Sequence, residues 1–138
     1  MTNMTDIKRD PKKALQAAHP QLSVICTPTN AGGQGPNELE TFYTREFKPS
    51  PEDLGARLMS RTLGSDSVVD ELSLKFKHDQ EIPWLLPRVP PNDDFVDITV
   101  ISIVKVKGGK VFQEKLYWDY ASLLLQVDFL RRNSVPLV

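Results

Sequence analysis

The sequence predicts an α+β domain in which helices cover one face of a curved antiparallel sheet. Between residues 56 and 118, apolar and polar residues alternate with a period of two in four segments. On either side of that region, apolar residues recur at helical spacing. Short Gly-containing turns join the first and last pairs of segments, which is typical of antiparallel hairpins.

The part of the chain before the sheet is predicted to begin with a helix and a strand. Asp10 can cap the helix, with Pro11 in its first turn, and Pro20 ends it. A strand follows at 22–26, where the residues alternate. The Gly-rich stretch 29–36 is predicted to be a loop.

A second helix is predicted to begin at Asn37, whose side chain can cap it while Glu40 reaches back from the third helical position. The helix ends before Pro49. A last helix is predicted over 120–131, directly after Asp119. Between these helices the strand candidates are 56–63, 67–77, 95–107 and 111–118, with hairpin turns at 64–66 and 108–109.

The composition is that of one globular domain. The chain has 138 residues, and 17 Lys+Arg against 18 Asp+Glu give a net charge of −1. Without a basic cluster we expect no binding to nucleic acid, and no apolar run is long enough to span a membrane. Charges near the start of the chain argue against a signal peptide. We expect a loose terminus at 1–9 and one domain at 10–138.

The cysteine and histidine content narrows the compartment and the chemistry. Cys26 is the only cysteine, so an internal disulfide cannot form and we expect a cytoplasmic protein. Together with His19 and His78 it supplies too few ligands for a zinc site. We therefore expect no metal and no cofactor.

Two strands carry polar residues among apolar ones. In the strand at 67–77 and just after it, Asp70 and His78 share the apolar face, but eight residues separate them by about 26 Å. Asp70 is expected to pair with Arg57 or Arg61, because an unpaired carboxylate on an apolar face is costly. The last strand has one face with Phe112, Glu114, Leu116 and Trp118 and another with Lys115 and Tyr117. The alternation does not say which of these two faces is concave.

The connection between the second and third strands, residues 79–94, is long for a compact domain and rich in proline. It carries large apolar residues, among them Trp84 and Leu85. Two interpretations stay open. The segment is a stiff flap that closes over a flat substrate, or its apolar residues lie in a dimer interface.

Several separated motifs carry a family resemblance. They are Phe42-Tyr43, Phe47, Ser60-Arg61-Thr62, Val69-Asp70-Glu71, the run Glu81-Ile82-Pro83-Trp84-Leu85-Leu86-Pro87, and Tyr117-Trp118-Asp119. In this order they resemble the SnoaL-like branch of the NTF2-like superfamily, over about residues 26–130. The resemblance implies a cone, in which a bent sheet wrapped by helices surrounds an apolar pocket, often in a homodimer. It also implies that Asp119 matches the acid/base aspartate of SnoaL-type cyclases. Lys115 and Tyr120 depart from the histidine and glutamine of the subgroup pattern.

From the residues and the resemblance we expect a cofactor-free enzyme of polyketide-like secondary metabolism. It would isomerise, cyclise or dehydrate a small apolar or polycyclic substrate by proton transfer. The acid/base candidates are Asp119, His78 and Asp70, and the substrate-binding candidates are Trp84, Leu85, Tyr117, Trp118 and Lys115.

Each candidate also has a structural interpretation. Asp119 precedes a helix and would make a good N-cap. His78 can be a strand-end histidine bonded to the following loop, and Lys115 and Tyr117 are surface residues if their face is convex. Two other functions remain open as well: a non-catalytic ligand-binding or dimerisation module, and a hydrolase that opens a lactone or ester.

Overall fold

The structure, a computed structural model, describes residues 10–51 and 54–127. In these residues three α-helices pack on a curved, mixed sheet of six strands, so the predicted α+β class is confirmed. The sheet order is β2-β1-β6-β5-β4-β3. The strands are β1 (Ser23–Cys26), β2 (Ala31–Gln34), β3 (Gly55–Leu63), β4 (Ser67–Lys77), β5 (Phe95–Lys107) and β6 (Lys110–Trp118), and the helices are α1 (Pro11–Ala17), α2 (Gly35–Phe42) and α3 (Tyr120–Gln126).

The sheet is mixed and not wholly antiparallel as expected, because β1 runs parallel to β6. Strands β3 to β6 form a meander of antiparallel pairs, and β1 pairs antiparallel with β2 at the opposite edge. The chain leaves the sheet after β2 and re-enters it at the far edge with β3. The meander then returns to β1, and its fourth strand has the same direction as β1.

Helix α1 begins as predicted. The Asp10 side chain accepts a hydrogen bond from the Lys13 backbone N–H at 3.1 Å, and Pro11 occupies the first turn, where its missing N–H costs nothing. None of the helices in the described residues is long and apolar enough to cross a membrane.

The prediction of a loop at 29–36 is wrong in part, because residues Ala31–Gln34 form β2 and pair with β1. Gly32 makes this close pairing possible. Its φ is +130°, and a Cβ at this position would lie 1.9 Å from the Val24 carbonyl oxygen. The glycines that suggested a loop are therefore what the hairpin requires.

The predicted start of the second helix at Asn37 is also wrong, because α2 begins at Gly35 with Gln34 as its N-cap. The Glu38 side chain accepts a hydrogen bond from the Gln34 N–H at 3.3 Å and satisfies one of the exposed donors of the first turn. Helix α2 continues into a π-helical turn at Tyr43–Phe47, whose first and last residues are buried.

The hairpin turns and strand bounds of the meander follow the prediction closely. Gly64 N–H donates to the Ser67 carbonyl at 2.8 Å, and Gly108 and Gly109 both have positive φ, as a tight two-residue turn needs. Helix α3 also begins where predicted. The part of that prediction beyond residue 127, like the predicted terminus at 1–9, lies outside the described residues.

The connection between β4 and β5 contributes to the core. Its apolar side chains are at most 1% exposed: Ile82, Trp84, Leu85, Leu86 and Val89. They pack with helix residues such as Leu39 and Leu123 and with the face of the sheet that bears Leu74 and Val100. We call this the inner face and the opposite side the outer face.

Candidate functional site

Two rows of side chains cross the centre of the inner face. Residues directly opposite each other in neighbouring strands point to the same side of a sheet, so the registers define both rows. The first row is Asp70, Ser102, Leu116 and Cys26, and the second is Val68, Val104, Glu114 and Val24. The inner face therefore carries two carboxyl groups, Asp70 and Glu114, one in each row.

Asp70 is held by Arg61, its partner across the β3–β4 pair. Arg61 Nε donates to Asp70 Oδ1 at 2.7 Å and Arg61 Nη2 donates to Oδ2 at 2.9 Å. The Asp70 side chain is 5% exposed and that of Arg61 40%. This confirms the predicted pairing of Asp70 with an arginine, and two charge-assisted hydrogen bonds satisfy an otherwise costly buried carboxylate.

Glu114 carries a carboxyl group whose pKa is raised towards neutrality. Burial of its carboxyl raises the pKa from 4.5 to about 7, and the negative charge of Asp70 adds to the effect. The residue as a whole remains partly exposed. A carboxyl group with this pKa is present in both protonation states near pH 7, as a general acid or base requires.

A cavity of about 10 Å³ lies beside Glu114. This volume is about that of a single water molecule. Tyr43 also lines the cavity, and burial, followed by the charge of Glu114, raises the pKa of its phenol well above the ordinary range. Tyr43 is therefore a neutral hydroxyl at any physiological pH. The other lining residues are Ala14, Leu15, Ala18, Leu22 and Val111.

Aromatic side chains fill the other half of the interior. Trp84 packs on Phe47 with ring centroids 5.2 Å apart and meets Trp118 edge to face at 5.7 Å. Trp84 Nε1 donates to the Ser50 hydroxyl at 3.4 Å, and the Thr29 hydroxyl donates to the Trp84 carbonyl at 2.9 Å. Both ends of Trp84 are thus anchored within the chain.

Trp84 and Leu85, predicted to contact substrate or a partner subunit, therefore lie inside the monomer at 1% and 0% exposure. The prolines around them hold a segment that is folded into the core. This segment lies in the core because four of its five residues at 82–86 have large apolar side chains. These side chains bury more apolar area inside the cone than they would over its mouth.

Trp118 lies on the inner face and is 8% exposed. Its indole N–H has no acceptor among the residues that the structure describes. A buried N–H without a partner is rare and costs about 1–3 kcal/mol, so it marks a place where a bound acceptor would be favourable.

Asp119 is exposed and caps α3, accepting a hydrogen bond from the Ser122 N–H at 3.0 Å. It follows Trp118 and does not share the inner face with Asp70 and Glu114. Of the two interpretations for Asp119, this geometry is that of the N-cap.

His78 is fully buried at the end of β4. Its backbone N–H donates to the Asp94 carbonyl at 2.8 Å, and its carbonyl accepts from the Asp93 N–H at 2.9 Å, so both ends of the long connection are joined here. His78 and Asp70 are not in contact in the structure, in agreement with the separation that the rise per residue of a strand predicts.

Lys115 and Tyr117 lie on the outer face. Each is directly opposite an isoleucine of β5, Ile103 and Ile101 respectively. The period of two that places Glu114, Leu116 and Trp118 inside turns these two side chains outward. They are surface residues of this chain and do not line the interior.

Two other kinds of site were considered, a thiolate nucleophile and a set of metal ligands. Burial, followed by the charge of Glu114, raises the pKa of Cys26 to about 12, so its thiol stays protonated. Within residues 10–51 and 54–127, no group of three or more His, Cys, Asp and Glu is arranged to hold a metal ion.

Glu114 is not among the site residues predicted from the sequence. The signal was nevertheless present, since Glu114 lies between Phe112 and Leu116 at the same spacing that drew attention to Asp70. What the sequence lacked was the orientation of β6, because either face of that strand was compatible with its pattern.

No protein-family model and no curated protein matches the chain. Solved structures do match it. A protein from Jannaschia sp. CCS1, provisionally named a SnoaL-like polyketide cyclase, aligns with a TM-score of 0.69 at 18% identity, over 90% of this chain and 78% of its own. TsrD from Streptomyces laurentii aligns with a TM-score of 0.68 at 21% identity, over 88% of this chain and 84% of its own.

A third structure comes from Catenulispora acidiphila and is described as having a ketosteroid isomerase-like fold. It was solved in complex with trimethylamine and aligns with a TM-score of 0.63 at 12% identity, over 85% of this chain and 81% of its own. At these identities the similarity concerns the fold.

Proposed function

The chain has the SnoaL-like form of the NTF2-like fold, and from this we propose that it is a cofactor-free enzyme that moves a proton on a small apolar carbonyl compound. The observation that carries the proposal is the carboxyl group of Glu114, which lies on the inner face and whose pKa burial raises to about 7. The reaction class is isomerisation, cyclisation or dehydration, in keeping with secondary metabolism of polyketide type.

In this proposal Glu114 is the general base. Its carboxylate takes a proton from the carbon next to the substrate carbonyl and returns it to a different atom of the substrate. Burial is the main cause of the raised pKa of Glu114, and Asp70 supports this step from the neighbouring row because its negative charge adds to the same shift. Arg61 balances the charge of Asp70, so that a second buried carboxylate is tolerated beside the base.

The negative charge that develops on the substrate oxygen needs a donor. The indole N–H of Trp118 is available for this role, since no described residue accepts it. Tyr43, which shares the cavity with Glu114, supplies a neutral hydroxyl close to the base. The substrate would lie against the inner-face residues that are partly exposed, namely Val68, Leu72, Leu116 and Glu114.

Asp119 is assigned a different task in this proposal from the one expected of it. Its exposure and its bond to the Ser122 N–H favour a cap that fixes the start of α3 directly after Trp118. The acid/base role passes from Asp119 to Glu114, which lies five residues earlier in the chain, on β6.

Carbon-acid exchange tests the proposal without knowledge of the natural substrate. Cyclic ketones and β-dicarbonyl compounds are incubated with the protein in deuterium oxide, and NMR follows the loss of the acidic proton. The wild type should accelerate exchange for part of the panel, and Glu114→Gln should lower the rate by about a hundredfold or more. Glu81→Gln, which alters an exposed carboxylate, serves as the matched control.

Equal exchange rates in the wild type and Glu114→Gln would show that Glu114 is not the base. Exchange that is lost in Asp119→Asn but kept in Glu114→Gln would return the role to Asp119. Hydrolysis of a lactone by the wild type, with no proton exchange on any ketone, would favour a hydrolase.

A second candidate, a non-catalytic binding or dimerisation module, rests on a separate observation. Trp84, Phe47 and Trp118 fill much of the interior, and the cavity beside Glu114 has a volume of only about 10 Å³. A protein of this kind would show no exchange with any member of the panel. The same measurement therefore separates the two candidates.

A further inference from the structure

Helix α1 closes one side of the cavity beside Glu114. The cavity has a volume of about 10 Å³, which suits one water molecule, whereas sites for small organic ligands usually measure about 300–1,000 Å³. A substrate can therefore reach the Glu114 carboxyl on this side only if one wall of the cavity moves. Three residues of that wall belong to α1 and its C-cap, Ala14, Leu15 and Ala18, and the others are Leu22, Tyr43, Val111 and Glu114.

Helix α1 is also the least firmly attached of the three described helices. None of the residues Pro11–Ala17 is buried, whereas α2 and α3 each bury a leucine completely, Leu39 and Leu123. The ion pair between Lys12 Nζ and Glu40 Oε1, at 3.8 Å, joins two exposed side chains and contributes little. A helix of seven residues is not stable by itself in water. Because segments with few buried contacts open at the lowest cost in free energy, α1 is the wall that can move.

The chain directly after α1 is held in place. The His19 N–H donates to the Val111 carbonyl at 2.9 Å, which ties this segment to β6. The Gly35 N–H donates to the Leu22 carbonyl, also at 2.9 Å, which ties the segment to the start of α2. Ala18 has an extended backbone, with φ −92° and ψ 168°, and separates the fixed segment from the helix. A movement of α1 would therefore be a rotation about Ala18 that leaves residues 19–22 in position.

We propose that α1 is a gate for Glu114, which opens by rotation about Ala18, admits the substrate and closes over it. The inference rests on the proposed function of Glu114 as the base, and it adds the route by which a substrate reaches that carboxyl. In the closed state α1 keeps bulk water away from the base, as lids over active sites commonly do.

The residues that line the cavity also indicate the class of compound that the opened site accepts. Ala14 and Leu15 present apolar side chains, and the polar side chains are the Tyr43 hydroxyl and the Glu114 carboxyl. This lining suits an apolar ring or chain that carries a single carbonyl group near Tyr43 and Glu114. A compound with many hydroxyl groups would bury some of them against α1 without hydrogen-bond partners, which is costly.

Thiol labelling measures the opening without any substrate. Leu22→Cys places a thiol behind α1, where the native side chain is 5% exposed, and Leu74→Cys places one elsewhere in the core, at 1% exposure. The first thiol should react with DTNB faster than the second by about tenfold or more, at a rate that low urea changes little. Gln16→Gly, at an exposed position of α1, should speed the first reaction about threefold and leave the second unchanged. Ala121→Gly, at an exposed position of α3, is the matched control, and the buried Cys26 of the wild type gives the background rate.

A cross-link tests whether catalysis needs the opening. Lys12→Cys and Glu40→Cys replace the exposed ion pair between α1 and α2, and bismaleimidoethane then bridges the two thiols so that α1 is held closed. The bridge should lower the rate of carbon-acid exchange by about tenfold or more. The same double variant with both thiols capped by N-ethylmaleimide carries the same substitutions without the tether, and it should keep the wild-type rate.

The two measurements separate the gate from the base. If the wild type exchanges no compound of the panel, the proposed base fails, and the labelling still decides whether α1 opens. Equal labelling rates of Leu22→Cys and Leu74→Cys, or no response to Gln16→Gly, would show that α1 does not open and would overturn the gate. A bridged protein that is as active as the capped one would overturn it as well.

Discussion

Arg61 and Asp70 form a bidentate ion pair between β3 and β4, with Nε–Oδ1 and Nη2–Oδ2 distances of 2.7 and 2.9 Å. The arginine belongs to an exposed edge strand, and the aspartate points into the interior. The pair thereby joins the edge of the sheet to the row of side chains that includes Ser102 and Leu116.

Replacing Arg61 by Met should lower the urea midpoint of unfolding, because Asp70 would remain buried without its two donors. Asp70→Asn should cost less, since the neutral amide needs no counter-charge. Urea unfolding at pH 7 measures both. Arg57→Met, on the same strand but not paired with Asp70, is the control, and an equal loss in that variant would show that the effect does not come from the ion pair.

Glu114 should make the stability depend on pH in an unusual direction. Its pKa is raised in the folded state, so between pH 4.5 and about 7 the folded protein binds more protons than the unfolded chain. The free energy of unfolding contributed by this group therefore decreases as pH rises, by on the order of 3 kcal/mol. Glu114→Gln should be more stable than the wild type at pH 8 and nearly equal at pH 4.

Thermal melts of the two proteins from pH 4 to 8 check this expectation, since only the difference between them reports on Glu114. Asp70→Asn should make the difference smaller and lower the pH at which it levels off, because it removes the negative charge that adds to the raised pKa of Glu114. A difference that is constant with pH would mean that the Glu114 carboxyl titrates normally in the folded state.

Asp119→Ala should lower stability by about 0.5–2 kcal/mol, as expected for loss of an N-cap, whereas Asp119→Asn should change it by only a few tenths. Asparagine can accept the same hydrogen bond from the Ser122 N–H. Ser122→Ala is the matched control, because the bond uses its backbone and not its hydroxyl. Denaturant midpoints measured side by side would contradict the cap if Ala and Asn were equally harmful.

Trp84→Ala should destabilise the domain by about 3–5 kcal/mol, since it removes a large side chain that packs on Phe47 and Trp118. Phe95→Ala removes an aromatic ring that is 80% exposed and should change stability by less than about 0.5 kcal/mol. If Trp84→Ala still folds, a small aromatic compound such as indole should bind in the space and raise the melting temperature. A mild effect like that of Phe95→Ala would mean that Trp84 can leave the core.

Gly32→Ala should cost more than about 2 kcal/mol, because the new Cβ would overlap the Val24 carbonyl oxygen in the β1–β2 pair. Gly109→Ala is a graded control. That glycine also has a positive φ, of +75°, but a Cβ there meets no atom within 4 Å, so about 1 kcal/mol is expected. If both variants lost the same amount of stability, the effect at Gly32 would come from its backbone angle alone and not from the close contact between the strands.

The α+β class, the meander from β3 to β6 and the cap at Asp10 could all be predicted from the sequence, because each depends on local patterns. Alternation, turn glycines and helix starts are fixed by neighbours a few residues away. It also determined that Asp70 needs an arginine, because a lone carboxylate on an apolar face is costly anywhere in a fold. The resemblance of the motifs from Phe42 to Asp119 extended this to the fold family.

Which side of each strand faces inward depends on the packing of the whole fold. Glu114 and Lys115 are consecutive residues of β6, so their side chains point to opposite faces of the sheet. The alternating pattern of β6 is compatible with either face turned inward. Only the packing of α2, the 79–94 connection and the parallel partner β1 selects Glu114, Leu116 and Trp118 for the inside. The same packing raises the pKa of Glu114 and leaves Asp119 as a cap, since burial and nearby charge belong to the assembled fold and not to a residue's neighbours in the chain.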